Sequence, residues 1–189
     1  MTEKSISMPV GVILRRSPGV TRWAKFSWRV IGVLPGAGPA DWRELRREAV
    51  ENGEAVDFHA GTLTLTLHRT DTEAYLVALS AEPPVVFVVL RKPGGADDRL
   101  ELSAITASAF EAQDYADSGE ELVEPVPAPP GLVAWISDFV ARHHRDETFV
   151  KRQRKRWAER EAVEGGADPR VRSASNVFRA PTARKTEPR

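Results

Sequence analysis

Four histidines, His59, His68, His143 and His144, are the side chains best suited by type to move a proton or hold a metal near neutral pH. Their spacing argues against both roles. Adjacent His143 and His144 cannot face the same side of a helix, and no carboxylate-rich set stands near them at metal-ligand spacing. His68 sits beside Arg69 at the end of an alternating stretch, where a surface or turn position is expected. The chain has no cysteine, which removes disulfides, thiolate zinc sites, iron–sulfur ligation and a thiol nucleophile. It carries no G-x-S-x-G elbow, P-loop or paired-carboxylate signature. Gly36-Ala37-Gly38 follows a predicted strand, but Asp41 stands at the third glycine position and Pro39 interrupts the loop, so a dinucleotide fingerprint is rejected. Catalysis is disfavoured, no metal or cofactor is expected, and binding chemistry comes forward.

Charge is the feature that could do such chemistry. Residues 1–140 hold 13 basic and 20 acidic residues, while residues 141–189 hold 14 basic and 7 acidic, so a net charge of zero hides an acidic body and a basic arm. Two clusters stand out as candidate partner-binding surfaces. One is acidic: Glu120, Glu121 and Glu124 within a run containing Pro125, Pro127, Pro129 and Pro130, which reads as a stiff, extended connector. The other is basic: Lys151, Arg152, Arg154, Lys155 and Arg156 on a continuing helical pattern with Phe149, Val150 and Trp157. The basic cluster would grip an acidic protein surface or nucleic acid phosphates.

The elements that must position these clusters are predicted from periodicity. Residues 8–15 alternate as a strand, Ser17-Pro18-Gly19 turns the chain, and residues 26–34 return with Phe26, Trp28, Val30 and Leu34 on one face. Asp41 with Glu44 predicts a short helix carrying Trp42, Leu45 and Val50, ended by Asn52-Gly53. Leu63, Leu65 and Leu67 alternate with threonines as a half-buried strand, and Tyr75, Val77 and Leu79 predict another. The continuous apolar run at residues 85–91 predicts a central strand buried on both faces, followed by one at residues 100–107. Ser108 with Glu111 is a capping box, and Gly119 a stop, for a helix between them. Leu132, Trp135, Ile136, Phe139, Val140 and His143 follow the spacing of an amphipathic helix. Short connections force antiparallel neighbours. The expected fold class is α+β: an antiparallel β-meander of about six strands, strongly curled and covered by C-terminal helices. Residues 1–145 form one domain, 146–163 a basic helical extension, and 164–189 a disordered tail. A poor signal peptide and no membrane-length apolar run predict a cytoplasmic protein without membrane contact.

Several stretches also carry a resemblance. MPVGVILRR from Met8, RWAKFSWRV with the following VLPG, HAGTLTLTLHRTDTEAY, VVFVVLR and HHRDETFVKRQRKR accompany the most specific run, ITASAFEAQDYADSGEELVEPVP. Over about Met8 to Arg156 the chain resembles a bacterial family, domain of unknown function 3305 (DUF3305). Members tend to be encoded beside genes for molybdenum-dependent formate dehydrogenase. The resemblance therefore implies an accessory, non-catalytic role in that enzyme's maturation, with one of its subunits or a cofactor-insertion factor as protein partner. Some members carry a molybdopterin-guanine dinucleotide biosynthesis label, but the glycine-rich nucleotidyltransferase loop is missing here. An enzyme handling a pterin or nucleotide is the alternative, with Arg29, Arg91 and Lys92 as its anion contacts. Nucleic-acid binding through the basic helix is the third reading.

Overall fold

A computed structural model describes residues 4–19, 25–92 and 99–145. The predicted basic extension and tail, with Lys151, Arg152, Arg154, Lys155 and Arg156, lie outside the described residues. The α+β class holds, with antiparallel pairing throughout. The strands number seven among the described residues, and they form two sheets in place of one curled sheet of about six.

The first sheet is built around β1 (Ser5–Pro18), whose Val10, Val12 and Leu14 alternate into the core with no exposure. It lies between β2 (Phe26–Pro35) and β4 (Gly53–His68), and β3 (Arg43–Val50) extends the sheet beyond β4. The second sheet centres on β5 (Val85–Arg91), flanked by β6 (Glu101–Thr106) and β7 (Leu122–Pro127). Three helices, α1 (Thr72–Leu79), α2 (Ala109–Ser118) and α3 (Pro130–His143), complete the domain. One continuous apolar core joins both sheets and α3, including Val10, Leu65, Val88, Ile105, Val126 and Phe139. The sheets meet along two seams, β2 against β7 and β4 against β6, but among the described residues no backbone ladder crosses either one. At the first, Val30 N–H donates to Glu124 Oε2 at 2.8 Å, so a carboxylate takes the place of a strand carbonyl.

Bulges account for several departures from the sequence reading. Register slips occur on both sides of β1, leaving Ile31 unpaired on β2 and Ala60 unpaired on β4. The extra residue at Ile31 inverts the alternation, so Val33 turns inward and Leu34 becomes exposed, opposite to the predicted face. The helix predicted after Asp41 is instead β3, fully exposed and paired with β4. Trp42 takes a left-handed φ of 47° and packs its ring at 5.4 Å from Trp28 and 6.0 Å from Phe58, which turns the chain into a strand at the point where a helix would begin. A bulge at Leu45 then sets Glu44 and Arg47 side by side, bonded at 2.8 and 3.0 Å. The three-residue spacing that suggests a helix is satisfied by a bulged strand.

The predicted strand at Tyr75–Leu79 is α1. Its buried positions, Thr72, Ala74, Tyr75 and Ala78, follow helical spacing, and Val77, expected on Tyr75's face, is 50% exposed. The acidic, proline-rich connector is likewise corrected: its central part is β7, paired with β5 from Val85–Pro127 to Leu90–Leu122. Proline suits it because β7 is the outer strand of its sheet and donates to one neighbour only. The central strand at β5, the Ser108 cap of α2, its left-handed stop at Gly119 (φ 70°) and the apolar face of α3 all match expectation. No helix among the described residues is long and apolar enough to cross a membrane.

Closing the β2–β7 seam through one carboxylate gives a direct test. Glu124→Ala should leave the Val30 N–H without an acceptor and lower stability by about 1–3 kcal/mol. Glu124→Gln keeps an acceptor oxygen and should recover most of that loss in a thermal or urea melt.

Candidate functional site

Among the described residues β3 pairs only with Gly53–His59, so from Gly61 to His68 the strand β4 is laddered on one side alone, to β1. β6 pairs only with β5. The two singly paired strands meet in the second seam, and Gly61 allows their closest approach: a Cβ there would lie 2.9 Å from Leu102 Cδ1. Two cavities, of about 600 and about 590 Å³, lie along this seam on either side of Leu63, which lines both.

The larger cavity is the candidate site. Thr64, Thr66 and His68 of β4 form one wall, and Ser103, Ala104 and Ile105 of β6 form another. The helices close it. Asp71 precedes α1 and Glu73 stands in its first turn; Glu111 stands in the first turn of α2 and Asp114 one turn later. Phe110, 54% exposed, stands on the rim. The floor beside α2 is a closed relay. Ser108 Oγ accepts from Glu111 N–H at 3.1 Å, Ser108 N–H donates to Thr106 Oγ1 at 3.0 Å, and Thr106 Oγ1 donates to Glu111 Oε2 at 2.6 Å. Thr106 and Ser108 are each only 4% exposed, so this relay holds the Glu111 carboxylate in place.

α1 is fixed by Tyr75, whose ring lies 6.4 Å from that of Phe139 and whose hydroxyl accepts from His68 N–H at 2.8 Å. Burial pushes the Tyr75 phenol up to about 12, against the opposing effect of the His68 N–H, with Asp71 and Glu111 adding to the rise. The end of α3 is tied to the start of α1 where His144 Nδ1 meets Thr72 Oγ1 at 3.0 Å.

Electrostatics give the cleft its character. Residues 70–90 hold three carboxylates and residues 101–138 hold eight, and neither stretch contains a lysine, arginine or histidine. These stretches supply α1, α2, β6 and β7, so the helical wall of the cleft is uniformly anionic. Such a site favours an ammonium or guanidinium group. Of the four histidines, His68 alone lines this cleft. His59 is buried elsewhere: its Nε2 meets Thr62 Oγ1 at 3.1 Å, and the Thr62 hydroxyl donates to the Gly38 carbonyl at 2.7 Å. That pair fastens the loop at residues 36–40 over Gly11, where a Cβ would sit 2.4 Å from His59 Nε2. His143 packs against Phe139 at 4.5 Å. Among the described residues no three metal-ligating side chains converge.

The acidic residues singled out from sequence divide. Glu120 is exposed after α2. Glu121, its side chain only 8% exposed, accepts from Arg91 Nη2 and Ser103 Oγ, each at 2.8 Å. Glu124 closes the β2–β7 seam. Arg91 is thus engaged by Glu121, and Arg29 stands exposed on the other sheet. Asp71, Glu73, Glu111, Asp114 and Phe110 escape a reading along the sequence. Their signal is the absence of any basic residue from 101 to 138, which a count over the whole body conceals.

The family described as protein of unknown function DUF3305 matches over residues 9–154, and the chain belongs to it. No curated protein and no solved structure matches the chain.

The raised Tyr75 phenol fixes a pH dependence. Its folded value of about 12 lies above the ordinary 10.0, so its contribution is complete below pH 10 and is lost as pH rises toward 12. Chemical denaturation between pH 9 and 12 should show this loss in the wild type, and Tyr75→Phe should lack it while being less stable at neutral pH by about 1–3 kcal/mol.

Proposed function

We propose that this DUF3305 protein is a non-catalytic cytoplasmic accessory factor that works by binding another protein, with the anionic cleft between β4, β6, α1 and α2 as its recognition surface. The observation that carries this reading is the cleft itself: about 600 Å³, walled by hydroxyls and four carboxylates, with its helical wall drawn from chain segments that lack basic residues. A surface of one sign steers encounter with a partner of the other and rejects nucleic acid. The partner proposed is a subunit of a molybdenum-dependent formate dehydrogenase or a factor that inserts its cofactor. Support for that identity is the gene neighbourhood implied by the family resemblance. A second reading, pterin or nucleotide handling, draws on the smaller cavity, where the Arg99 guanidinium lies over the Trp42 ring at 5.3 Å.

Affinity purification of the full chain from its own cytoplasm, followed by mass spectrometry, tests the choice. Formate dehydrogenase subunits or insertion factors should be recovered, and the double variant Glu73→Lys/Asp114→Lys should recover far less. Deleting the gene should lower formate dehydrogenase activity, restored by the wild type and poorly by the double variant. Recovery of a bound pterin or nucleotide with no protein partner, and unchanged enzyme activity in the deletion strain, would overturn the accessory reading.

A further inference from the structure

The carboxylates of the cleft do not stand alone. On α1, Val77 lies one turn beyond Glu73 and is 50% exposed, next to Leu76 at 41%. On α2, Phe110 is 54% exposed, and Asp114 and Asp117 follow it along the same side at helical spacing. The two helices touch each other and both line the cavity, through Glu73 and Ala74 on α1 and Phe110, Glu111 and Asp114 on α2. Phe110 therefore stands in water at a cleft whose helical wall is anionic, and Leu76 and Val77 stand in water on α1 within a turn of Glu73, which lines it.

The exposed apolar side chains do not serve the domain's own folding. The core is complete without Val77 and Phe110, and a buried valine or phenylalanine is worth about 1.5–3 kcal/mol more than an exposed one. Like charges at Asp114 and Asp117, one turn apart with no basic neighbour on α2, add mutual repulsion. A cationic amphipathic segment relieves both. Its apolar side would cover Val77 and Phe110, and a lysine or arginine would reach past the Phe110 ring into the cleft between Glu73 and Glu111. Its long apolar stem would lie on the ring while its head meets the carboxylates.

Resting on the protein-binding reading above, we infer that the α1–α2 face docks a basic amphipathic helix of the partner, anchored on Phe110 and Val77 and specified by Asp71, Glu73, Glu111 and Asp114. This is helix-in-groove recognition, in which apolar anchors give affinity and charge gives selection. Basic groups stand at the start of α1: His68 lines the cleft, Arg69 follows it in the chain, and His144 meets Thr72. They mark that end of the groove, so the cationic side of the ligand is expected toward α2.

Titration of the purified full chain with two synthetic helical peptides tests this. One has leucine on one face and lysine on the other, and its counterpart carries glutamate in place of lysine. The lysine peptide should bind with an affinity that falls as salt is raised, and the glutamate peptide should not bind. Phe110→Ala and Val77→Ser should each weaken the lysine peptide by about tenfold, as should Glu73→Lys, whereas Glu48→Lys on β3 should leave it unchanged. Both apolar positions are exposed, so these variants should keep the wild-type melting temperature. Equal weakening by Glu48→Lys, or indifference to Phe110→Ala and Val77→Ser, would show charge attraction without a docking face and overturn the inference. If formate dehydrogenase subunits still co-purify with a Phe110→Ala/Val77→Ser protein as with wild type, the inference fails while the accessory reading stands.

Discussion

Two sheets share one core without sharing a ladder, and the rest of the architecture follows from that constraint. Backbone groups at a sheet's outer strands must find partners or water. At the β2–β7 seam one is met by a side chain, the Glu124 carboxylate accepting from Val30. At the β4–β6 seam the strands approach closely at Gly61 and Leu102 and leave space on either side. A fully laddered barrel would have no such space. The cleft exists because the second seam is packed without being hydrogen-bonded strand to strand.

Much of this fold was legible in the sequence. Alternation placed β1 and the second half of β4, a continuous apolar run placed β5, and the residues at the ends of α2 specified its limits, because in each case one local cause dominates. The errors fall where two causes compete. Residues 41–50 carry helix-forming side chains at helical spacing, yet the left-handed Trp42 and pairing with β4 make them a strand. Tyr75, Val77 and Leu79 alternate as a strand would, yet Ala74, Tyr75 and Ala78 are the residues that find a core. Bulges at Ile31, Leu45, Ala60 and Ser103 are invisible to any strict two-residue period, and each inverts or re-aims the side chains beyond it.

The candidate site was less legible, for a reason that lies in long-range geometry. Glu120, Glu121 and Glu124 form the densest acidic cluster in sequence, but density along the chain is not density in space. Glu121 and Glu124 face inward contacts, and the carboxylates that gather around open space come from segments about 40 residues apart, at Asp71–Glu73 and Glu111–Asp114. Only the fold brings α1 and α2 together across β4 and β6. The sequence did hold a sign: the segments that supply α1, α2, β6 and β7 contain no basic residue.

That sign also answers a problem the sheets create. Singly paired strands are templates for unwanted association, and proteins blunt them with charge, bulges and cover. β3 is protected in this way by Arg43, Glu44, Arg46, Arg47 and Glu48, of both signs, with Arg46 paired to Glu48 and Arg47 to Glu44. The β4 and β6 edges carry instead a bulge at Ser103, threonines, and two helices bearing charge of one sign. Mixed charges neutralise one another and present little to a partner. Charges of one sign protect the edge equally well by repelling a second copy of the same surface, and they leave a field that only a cation can satisfy. In the proposed docking role, the charge that keeps this seam from pairing with itself would also select the partner.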